Sequence, residues 1–496
     1  MTTHSAWRGD GLAETGEVVM LYLTGLVFAL ALPIVLPLGC ADVVNPNGTG
    51  GTGGIGGAGG TAGTGGVGGD GGAGGGAAGS GGTTGAEFPC TAQGIRNAIA
   101  EGGGPHTFAC DGPTIVETSA VIEVDNDVIL DGGGNLVVHG ARDQTTRHRV
   151  FFVQQTVTAE LIGMTVSEGE PSQAGESGGG VFNEGTLDIV GSTITQNGTS
   201  TTDRGGGVGN TGTLRLIDSV VSENTAFIGC GISNDDGSLT LINTRVTGNG
   251  GGTADIQSGS GINNGPLGSL TLIDSTVSGN SDGFGDAHAI TNTGTMLMVK
   301  STVSENQSTQ SAGIWNGGSA TLVNSTVSGN NGQDTSAIEG GGMSPFLALY
   351  NTTLVPGGGS QHLFTILLRE GEFVSTNSVI VGPDGGLGAC SLQNVTVTSG
   401  GYNIEATSNT CGLQGLGDRA GMSASDLALG PLQNNGGPTQ THALKTESEA
   451  INHIPEGRCL DQEGEALSTD QRGEPRPETG GAMCDAGAFE RQPDDQ

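Results

Sequence analysis

The strongest constraint on the fold is a block that occurs six times between residues 180 and 330, with two asparagines in fixed places. Equivalent asparagines in successive copies are 24 to 31 residues apart. A repeat of this length, built from short alternating strands and Gly/Asn turns, predicts a coiled solenoid. The first asparagine recurs as Asn183, Asn210, Asn234, Asn264, Asn292 and Asn316, and the second as Asn197, Asn224, Asn249, Asn280, Asn306 and Asn330.

Aliphatic residues repeat in step with the asparagines. Val181, Asn183, Leu187 and Ile189 share one parity, so they face the same side of an extended chain. Ile194 has the opposite parity, which predicts a corner before it. These features predict an all-β parallel β-helix in which each coil stacks on the next.

Stacking places like residues on top of like residues, about 4.8 Å apart. Asn183 shares the inward parity of its apolar neighbours, so its column is predicted to form an internal ladder of amide hydrogen bonds. An inward amide without partners costs roughly 1–3 kcal/mol. The twelve asparagines are therefore predicted to be structural.

The predicted corners carry short polar residues that bond their own backbone. They are Gly191-Ser192, Asp218-Ser219, Asn243-Thr244, Asp274-Ser275, Lys300-Ser301 and Asn324-Ser325. No two carboxylates are neighbours in this column, which removes one candidate catalytic dyad. Asp188 occupies the position equivalent to Arg215, which predicts either an exposed ion pair or the floor of a carbohydrate groove.

Composition narrows the possible partners. The formal net charge is −35, with 51 acidic against 16 basic residues, which argues against nucleic acid. The acidic surface is interpreted as self-repelling and soluble, with calcium binding as the alternative. No cofactor is predicted, and the scattered histidines show no metal-ligand spacing: His139, His148, His288, His362 and His442.

Six of the eight cysteines form three close pairs along the sequence: Cys90 with Cys110, Cys390 with Cys411, and Cys459 with Cys484. These are candidate disulfides, although spacing alone does not fix connectivity. Disulfides would place the domain in an oxidising compartment.

The N-terminal 86 residues read as targeting sequence followed by a linker. Residues 18–38 are almost continuously apolar, and Leu38-Gly39-Cys40 resembles the lipobox of bacterial lipoproteins. Residues 1–40 are therefore predicted to be a lipoprotein signal with Cys40 acylated; simple secretion and an uncleaved anchor are the alternatives. The Gly-rich residues 41–86 are predicted to be a flexible tether.

The folded part is predicted to comprise a β-helix over residues 87–412 and a C-terminal cap segment over 413–496. Ile95, Ala98 and Ile99 share one helical face, so a short helix over residues 90–101 is predicted to cap the N-terminal coil. Proline becomes more frequent in the C-terminal segment.

Two resemblances accompany these patterns. The glycine–aliphatic element that precedes the first asparagine, as in Gly205-Gly-Gly-Val208 and Gly229-Cys-Gly-Ile232, resembles the repeats of polymorphic outer-membrane proteins. Asn435 to Ala443, Asp470-Gln-Arg-Gly473 and Cys484-Asp-Ala-Gly-Ala-Phe-Glu490 resemble the end region of bacterial choice-of-anchor Q proteins. The second resemblance implies a right-handed parallel β-helix on a bacterial surface, and it implies no established activity.

The sequence therefore favours a non-catalytic, surface-displayed rod, either adhesive or ligand-binding. It would be held at the outer membrane by its lipid, or otherwise secreted, and would act as a monomer on a polysaccharide or cell-surface ligand. The alternative is a carbohydrate-active β-helix enzyme, a lyase or a hydrolase, which needs a basic group or paired carboxylates. No catalytic residue is assigned.

Overall fold

The computed structural model describes residues 85–495, apart from 141–146, 172, 174, 200–202, 251–260, 282–287, 310, 333, 343 and 358–362. The predicted signal, Cys40, nearly all of the tether and His362 lie outside the described residues. Within them, the prediction of an all-β, right-handed parallel β-helix is confirmed.

In chain order the elements are β1 (Glu87–Pro89), α1 (Ala92–Glu101), β2 (Gly103–Ala109), β3 (Thr114–Glu117), β4 (Ile122–Val124), β5 (Val128–His139), β6 (Phe151–Val153), β7 (Thr158–Ser167), β8 (Val181–Asn183), β9 (Thr186–Val190), β10 (Thr193–Thr195), β11 (Val208–Asn210), β12 (Thr213–Ile217), β13 (Val220–Ser222), β14 (Ile232–Asn234), β15 (Ser238–Ile242), β16 (Arg245–Thr247), β17 (Ile262–Asn264), β18 (Ser269–Ile273) and β19 (Thr276–Ser278). They continue as β20 (Ile290–Asn292), β21 (Thr295–Val299), β22 (Thr302–Ser304), β23 (Ile314–Asn316), β24 (Ser319–Val323), β25 (Thr326–Ser328), β26 (Thr335–Gly340), β27 (Phe346–Tyr350), β28 (Thr353–Val355), β29 (Phe364–Leu368), β30 (Gly371–Thr376), β31 (Val379–Val381), β32 (Gly388–Leu392), β33 (Val395–Gly401), β34 (Ile404–Ala406), β35 (Arg419–Met422), α2 (Ala424–Leu427), β36 (Leu429–Gln433) and β37 (Thr441–Leu444).

Each coil of the repeat contributes three strands, for example β8, β9 and β10. The first belongs to an 11-stranded parallel sheet of the described residues, the narrow sheet, and the other two belong to a 24-stranded sheet, the broad sheet. Within the broad sheet, strands equivalent to β9 are called long strands and those equivalent to β10 short strands. Eleven strands about 4.8 Å apart give a stack about 48 Å long.

Register between coils follows the sequence repeat. Leu187 aligns with Leu214, and Leu214 aligns with Leu239. These side chains are at most 1% exposed, so they fill the narrow interior of the coil. Burial of stacked aliphatic rows supplies the main driving force for folding, at roughly 25 cal/mol per Å² of apolar surface.

The corners between long and short strands have a left-handed backbone. Asp218, Asn243, Asp274, Lys300 and Asn324 have φ between 46° and 50°. The hydroxyl residue that follows each of them is buried and bonds the neighbouring coil. The Ser192 N–H donates to Ser219 Oγ at 3.2 Å, for example, while Ser192 Oγ donates to its own coil at Val190 O, 2.9 Å away.

Both asparagine columns lie inside the coil, with side chains at most 1% exposed. In the first column, each Nδ2 donates to the Oδ1 of the next coil at 2.7–2.8 Å, from Asn183 to Asn316. In the second column, from Asn197 to Asn330, the same bond measures 2.8–3.1 Å. Each Oδ1 of the second column that follows Asn197 also accepts the backbone N–H of the preceding asparagine.

The N-terminal end is covered by α1, at the place predicted from sequence. Thr91 is the N-cap, and its Oγ1 accepts the Gly94 N–H at 3.0 Å. Ile95, Ala98 and Ile99 are at most 2% exposed, and the helix packs against β1, β4 and β5.

The three predicted disulfides are confirmed. Cα–Cα distances are 5.1 Å for Cys90–Cys110, 4.8 Å for Cys390–Cys411 and 6.2 Å for Cys459–Cys484. The first joins the strand before α1 to the end of β2, and the second lies at the other end of the stack. Among the described residues, no helix is long and apolar enough to cross a membrane.

Candidate functional site

The outer face of the broad sheet is the most extended surface that the stack presents. Register between the long strands places one outward residue per coil in a straight row. The last outward residue of each long strand from β7 to β21 is aliphatic and half-buried. We call this row the aliphatic stripe: Ile162, Val190, Ile217, Ile242, Ile273 and Val299.

A charged cluster lies beside the stripe. Glu160 aligns with Asp188 on the next coil, and Asp188 aligns with Arg215 on the coil after that. Arg215 Nη1 lies 3.3 Å from Asp188 Oδ2, with side chains 47% and 28% exposed. The ion pair expected from sequence is therefore present. An ion pair this exposed contributes little stability.

The two carboxyl groups have different surroundings. Burial raises the pKa of Glu160, the Asp188 carboxylate raises it further, and Arg215 lowers it. Burial also raises the pKa of Asp188, and Arg215 lowers it, as it does that of Glu160. Neighbouring strands lie about 4.8 Å apart, near the 5–5.5 Å that separates the carboxyl groups of retaining glycosidases. Burial therefore favours the protonated form of both carboxyl groups, and Arg215 favours the ionised form of both.

Sequence reasoning missed Glu160. Its coil precedes the six aligned repeats and lacks their marker asparagine, because Val153 occupies the place that Asn183 takes one coil later. The available signal was Leu161, which aligns with Ile189 and would have placed Glu160 above Asp188.

The corner column has no adjacent carboxylates, as predicted. Asn243 lies between Asp218 and Asp274, and its Nδ2 donates to Asp218 Oδ1 at 2.7 Å.

No metal centre is evident in the described part of the chain, where no three His, Cys, Asp or Glu side chains are placed to hold an ion. Calcium stays a prediction. The described histidines lie apart from one another. His139 pairs with Glu117, His148 contacts Thr118, and His288 lies near Trp315.

His442 makes one contact of catalytic type. Its Nε2 lies 2.8 Å from Ser328 Oγ, and its Nδ1 lies 2.8 Å from Gly430 O. Both side chains are at most 8% exposed, and burial lowers the pKa of His442. Because the pair lies beneath the C-terminal segment, it fastens that segment to the stack and is not open to a substrate.

The C-terminal segment lies along the side of the later coils. Corner side chains bind its backbone: Asn324 Nδ2 donates to Thr469 O, Asn351 Nδ2 to Leu460 O and Asn377 Nδ2 to Arg458 O, at 2.8–2.9 Å. Outward threonines of the short strands also bind it, since Thr302 Oγ1 donates to Gln440 O at 2.7 Å. The segment therefore occupies the later corners and short strands.

The residues of the C-terminal motif form a buried charge network. Arg472 Nε lies 2.9 Å from Asp470 Oδ2, and Arg476 Nε lies 3.1 Å from Glu490 Oε2. All four side chains are at most 2% exposed. Arg476 also donates to Asn324 Oδ1 at 3.0 Å, which connects the network to the stack. The motif thus has a structural explanation.

Comparisons with known proteins assign neither a family nor an activity. No family model matches the chain, and no curated protein matches it. Among solved structures, the crystal structure of the pectate lyase Pel9A aligns with a TM-score of 0.42 and 14% identity, over 83% of this chain and 98% of that chain. A likeness at this level concerns the path of the backbone and assigns no residue a role. The two family resemblances rest on their motifs alone.

Proposed function

We propose that this protein is a non-catalytic, surface-displayed binding rod. One observation carries the proposal: the aliphatic stripe runs half-buried along five coils, from Ile162 to Ile273, before the coil of Lys300 and Thr302, which holds the C-terminal segment. An ordered apolar row on successive coils of a strongly acidic protein is typical of a surface that contacts a ligand.

The interior supports a rigid role. Amide ladders and corner hydroxyls connect each coil to its neighbours, so the outward rows keep a fixed spacing of about 4.8 Å. A rigid display surface loses little conformational entropy on binding. The partners proposed are a polysaccharide or another cell-surface ligand, and the rod acts as a monomer without nucleic acid.

Display requires an anchor, and we assign it to acylated Cys40. The Gly-rich residues 41–86 would then hold the rod away from the outer membrane. A Cys40→Ser variant should move from the membrane fraction to the medium, and cells should lose adherence to coated surfaces. Full membrane retention of that variant would reject the lipid anchor, and unchanged adherence after release would reject display as the function.

A second candidate function rests on Glu160 and Asp188. Stacked carboxyls beside an open face suit hydrolysis of a glycan, with Glu160 as acid and Asp188 as nucleophile. Purified protein should then release reducing ends from a neutral polysaccharide, and Glu160→Gln should abolish the release. Cleavage of acidic polysaccharides in calcium would instead indicate a lyase. Turnover that survives Glu160→Gln and Asp188→Asn would remove this site from consideration.

A further inference from the structure

One indole ring lies on the outer face of the narrow sheet. Trp315 is the outward residue of β23, and its side chain is half-buried. The six-membered ring of the indole covers Gly317, where an added Cβ would lie 2.5 Å from Trp315 Cη2. The buried imidazole of His288 lies beside it, with ring centroids 6.4 Å apart. Among the described residues, none accepts the indole N–H, so Trp315 is a fixed, partly open ring with an available donor.

An ion pair lies on the two coils that follow Trp315. Glu339 aligns with Trp315 on the next coil, and Arg369 directly follows the strand that pairs with β26. Arg369 Nη2 lies 3.2 Å from Glu339 Oε1, and Ser311 Oγ donates to Glu339 Oε2. The side chain of Arg369 is 58% exposed and that of Glu339 is 15% exposed. The carboxylate is therefore held in place, while the guanidinium presents its remaining N–H groups to solvent.

Polar groups lie on both sides of the ring. Thr291 aligns with Trp315 on the preceding coil, just as Glu339 does on the following one. The Thr291 side chain is half-buried, and its hydroxyl makes no hydrogen bond within the described part of the chain. Each neighbour is one strand spacing, about 4.8 Å, from Trp315 at the backbone. The arrangement is an apolar ring with hydrogen-bonding groups at two opposite edges.

We propose that this cluster binds a neutral sugar unit of a polysaccharide. We call it the indole subsite, and it consists of Thr291, Trp315, Glu339 and Arg369. The proposal rests on the binding-rod function above, to which it adds a second surface and a ligand class. Three features carry it: the chemistry of the side chains, their charge and the size of the cluster.

The side-chain chemistry selects a sugar. A pyranose has apolar C–H faces and a rim of hydroxyls, so one face can pack on the indole while the rim meets polar side chains. The Glu339 carboxylate accepts hydrogen bonds and the Arg369 guanidinium donates them, and adjacent hydroxyls of one sugar can do both. The Trp315 N–H offers one further donor on the same surface.

Charge selects a neutral sugar. Glu339 and Arg369 neutralise each other, so the subsite holds no surplus cation for an anionic ligand. A uronate at the guanidinium would lie beside the Glu339 carboxylate. The net charge of −35 would also repel an acidic polymer at a distance. A neutral sugar leaves the ion pair intact and incurs neither penalty.

Size excludes a protein as the occupant. From Thr291 to Arg369 the subsite spans three coil-to-coil steps, about 14 Å. At roughly 10 Å wide, it offers on the order of 150 Å², against about 800 Å² per partner in a stable protein interface. Strands β23 and β26 have neighbours on both sides, so strand addition is closed to a peptide. A strip this small suits individual units of a polymer.

Tryptophan fluorescence tests the subsite, because the chain has two tryptophans and Trp7 lies in the predicted signal. In the full-length Trp7→Phe protein, cellohexaose or maltohexaose should change the emission of Trp315 in a saturable way. Arg369→Gln should weaken that binding by roughly tenfold, since it removes a charge-assisted donor. The matched control, Arg204→Gln, breaks an exposed ion pair with Asp235 on earlier coils and should leave binding unchanged.

Trp315→Ala needs a second measurement, because it lacks the fluorescent reporter. Isothermal titration calorimetry with the probe that binds the parent protein should detect no binding to this variant. Circular dichroism confirms that all variants are folded.

Three results would overturn the inference. They are no response to either neutral probe, equal weakening by Arg369→Gln and Arg204→Gln, and tighter binding of hexagalacturonate than of both neutral probes, which would make an acidic glycan the ligand. Lipid-dependent adherence of cells without sugar binding would reject the indole subsite and leave the rod proposal standing. Sugar binding combined with adherence that is unchanged in Cys40→Ser would keep the subsite and reject display.

Discussion

At the scale of single residues, the buried asparagines show how a polar side chain stabilises an apolar interior. Asn264 donates to Asn292 Oδ1 and accepts from Asn234 Nδ2, both within 2.8 Å. Asn183 bonds only one amide neighbour, Asn210, and its Oδ1 accepts the Gly185 N–H of its own coil. Position in the column therefore decides how many bonds between coils a substitution removes.

Asn264→Leu should consequently destabilise the protein more than Asn183→Leu. Removing the middle amide breaks the column on both sides and leaves Asn234 Nδ2 and Asn292 Oδ1 without amide partners, each costing about 1–3 kcal/mol. Removing the first breaks one bond between coils, to Asn210 Oδ1, and one within its own coil, from the Gly185 N–H. Urea unfolding followed by circular dichroism measures the difference. Equal shifts of the midpoint in the two variants would contradict the ladder as a stabilising element.

His288 makes stability depend on pH. Burial lowers its pKa from 6.5 to about 4, so the folded protein keeps it neutral where the unfolded chain takes up a proton. The contribution of neutral His288 to the free energy of unfolding is complete above pH 6.5. It is lost as the pH falls towards 4, and the total loss is about 3 kcal/mol. His288→Phe should flatten this part of the curve of unfolding free energy against pH. A slope unchanged by the substitution would show that another group is responsible.

At the scale of elements, the C-terminal segment depends on a buried ion pair. Arg476→Gln leaves Glu490 buried without its cation and removes a donor to Asn324, a loss of about 3–5 kcal/mol. We expect the segment to detach while the stack stays folded, because solenoid coils depend chiefly on their neighbours.

Limited proteolysis with mass spectrometry tests this detachment. Cleavage should appear first within residues 423–495, with strands β8 to β25 still protected. Arg419→Gln is the matched control, because its pair with Glu449 is 46% and 54% exposed and contributes about 0–1 kcal/mol. Simultaneous cleavage of stack and segment in Arg476→Gln would mean that the two unfold as one unit.

The same elements show what the sequence can predict. Strand register, the polar corners and α1 follow from local pattern, because equivalent residues recur at fixed places in every coil. The docking of the C-terminal segment was not predicted, since contacts such as Thr302 with Gln440 join residues 138 positions apart and repeat nowhere. Glu160 was missed for a related reason: its coil lacks the marker residue that aligns the others.

At the scale of the whole molecule, the stack behaves as a column of interchangeable units. Each coil contacts the one before and the one after, and like residues occupy like places, so the interface on either side of a coil is nearly the same. Removing one whole coil should therefore restore an equivalent interface. Removing half a coil should not, because the shortened coil would lack one of its three strands.

Deletion of residues 225–249 removes one coil and joins Asn224 to Gly250, which keeps the second asparagine column in register. We expect a folded, β-rich protein in a Cys40→Ser background. Spin labels at Thr158→Cys and Thr295→Cys, five coils apart along one outward row, should lie about 24 Å apart at the backbone in the parent and about 19 Å in the deletion. Deletion of residues 225–236 is the control and should abolish cooperative unfolding. An unfolded whole-coil deletion, or an unchanged label distance, would refute the description of this molecule as stacked equivalent coils.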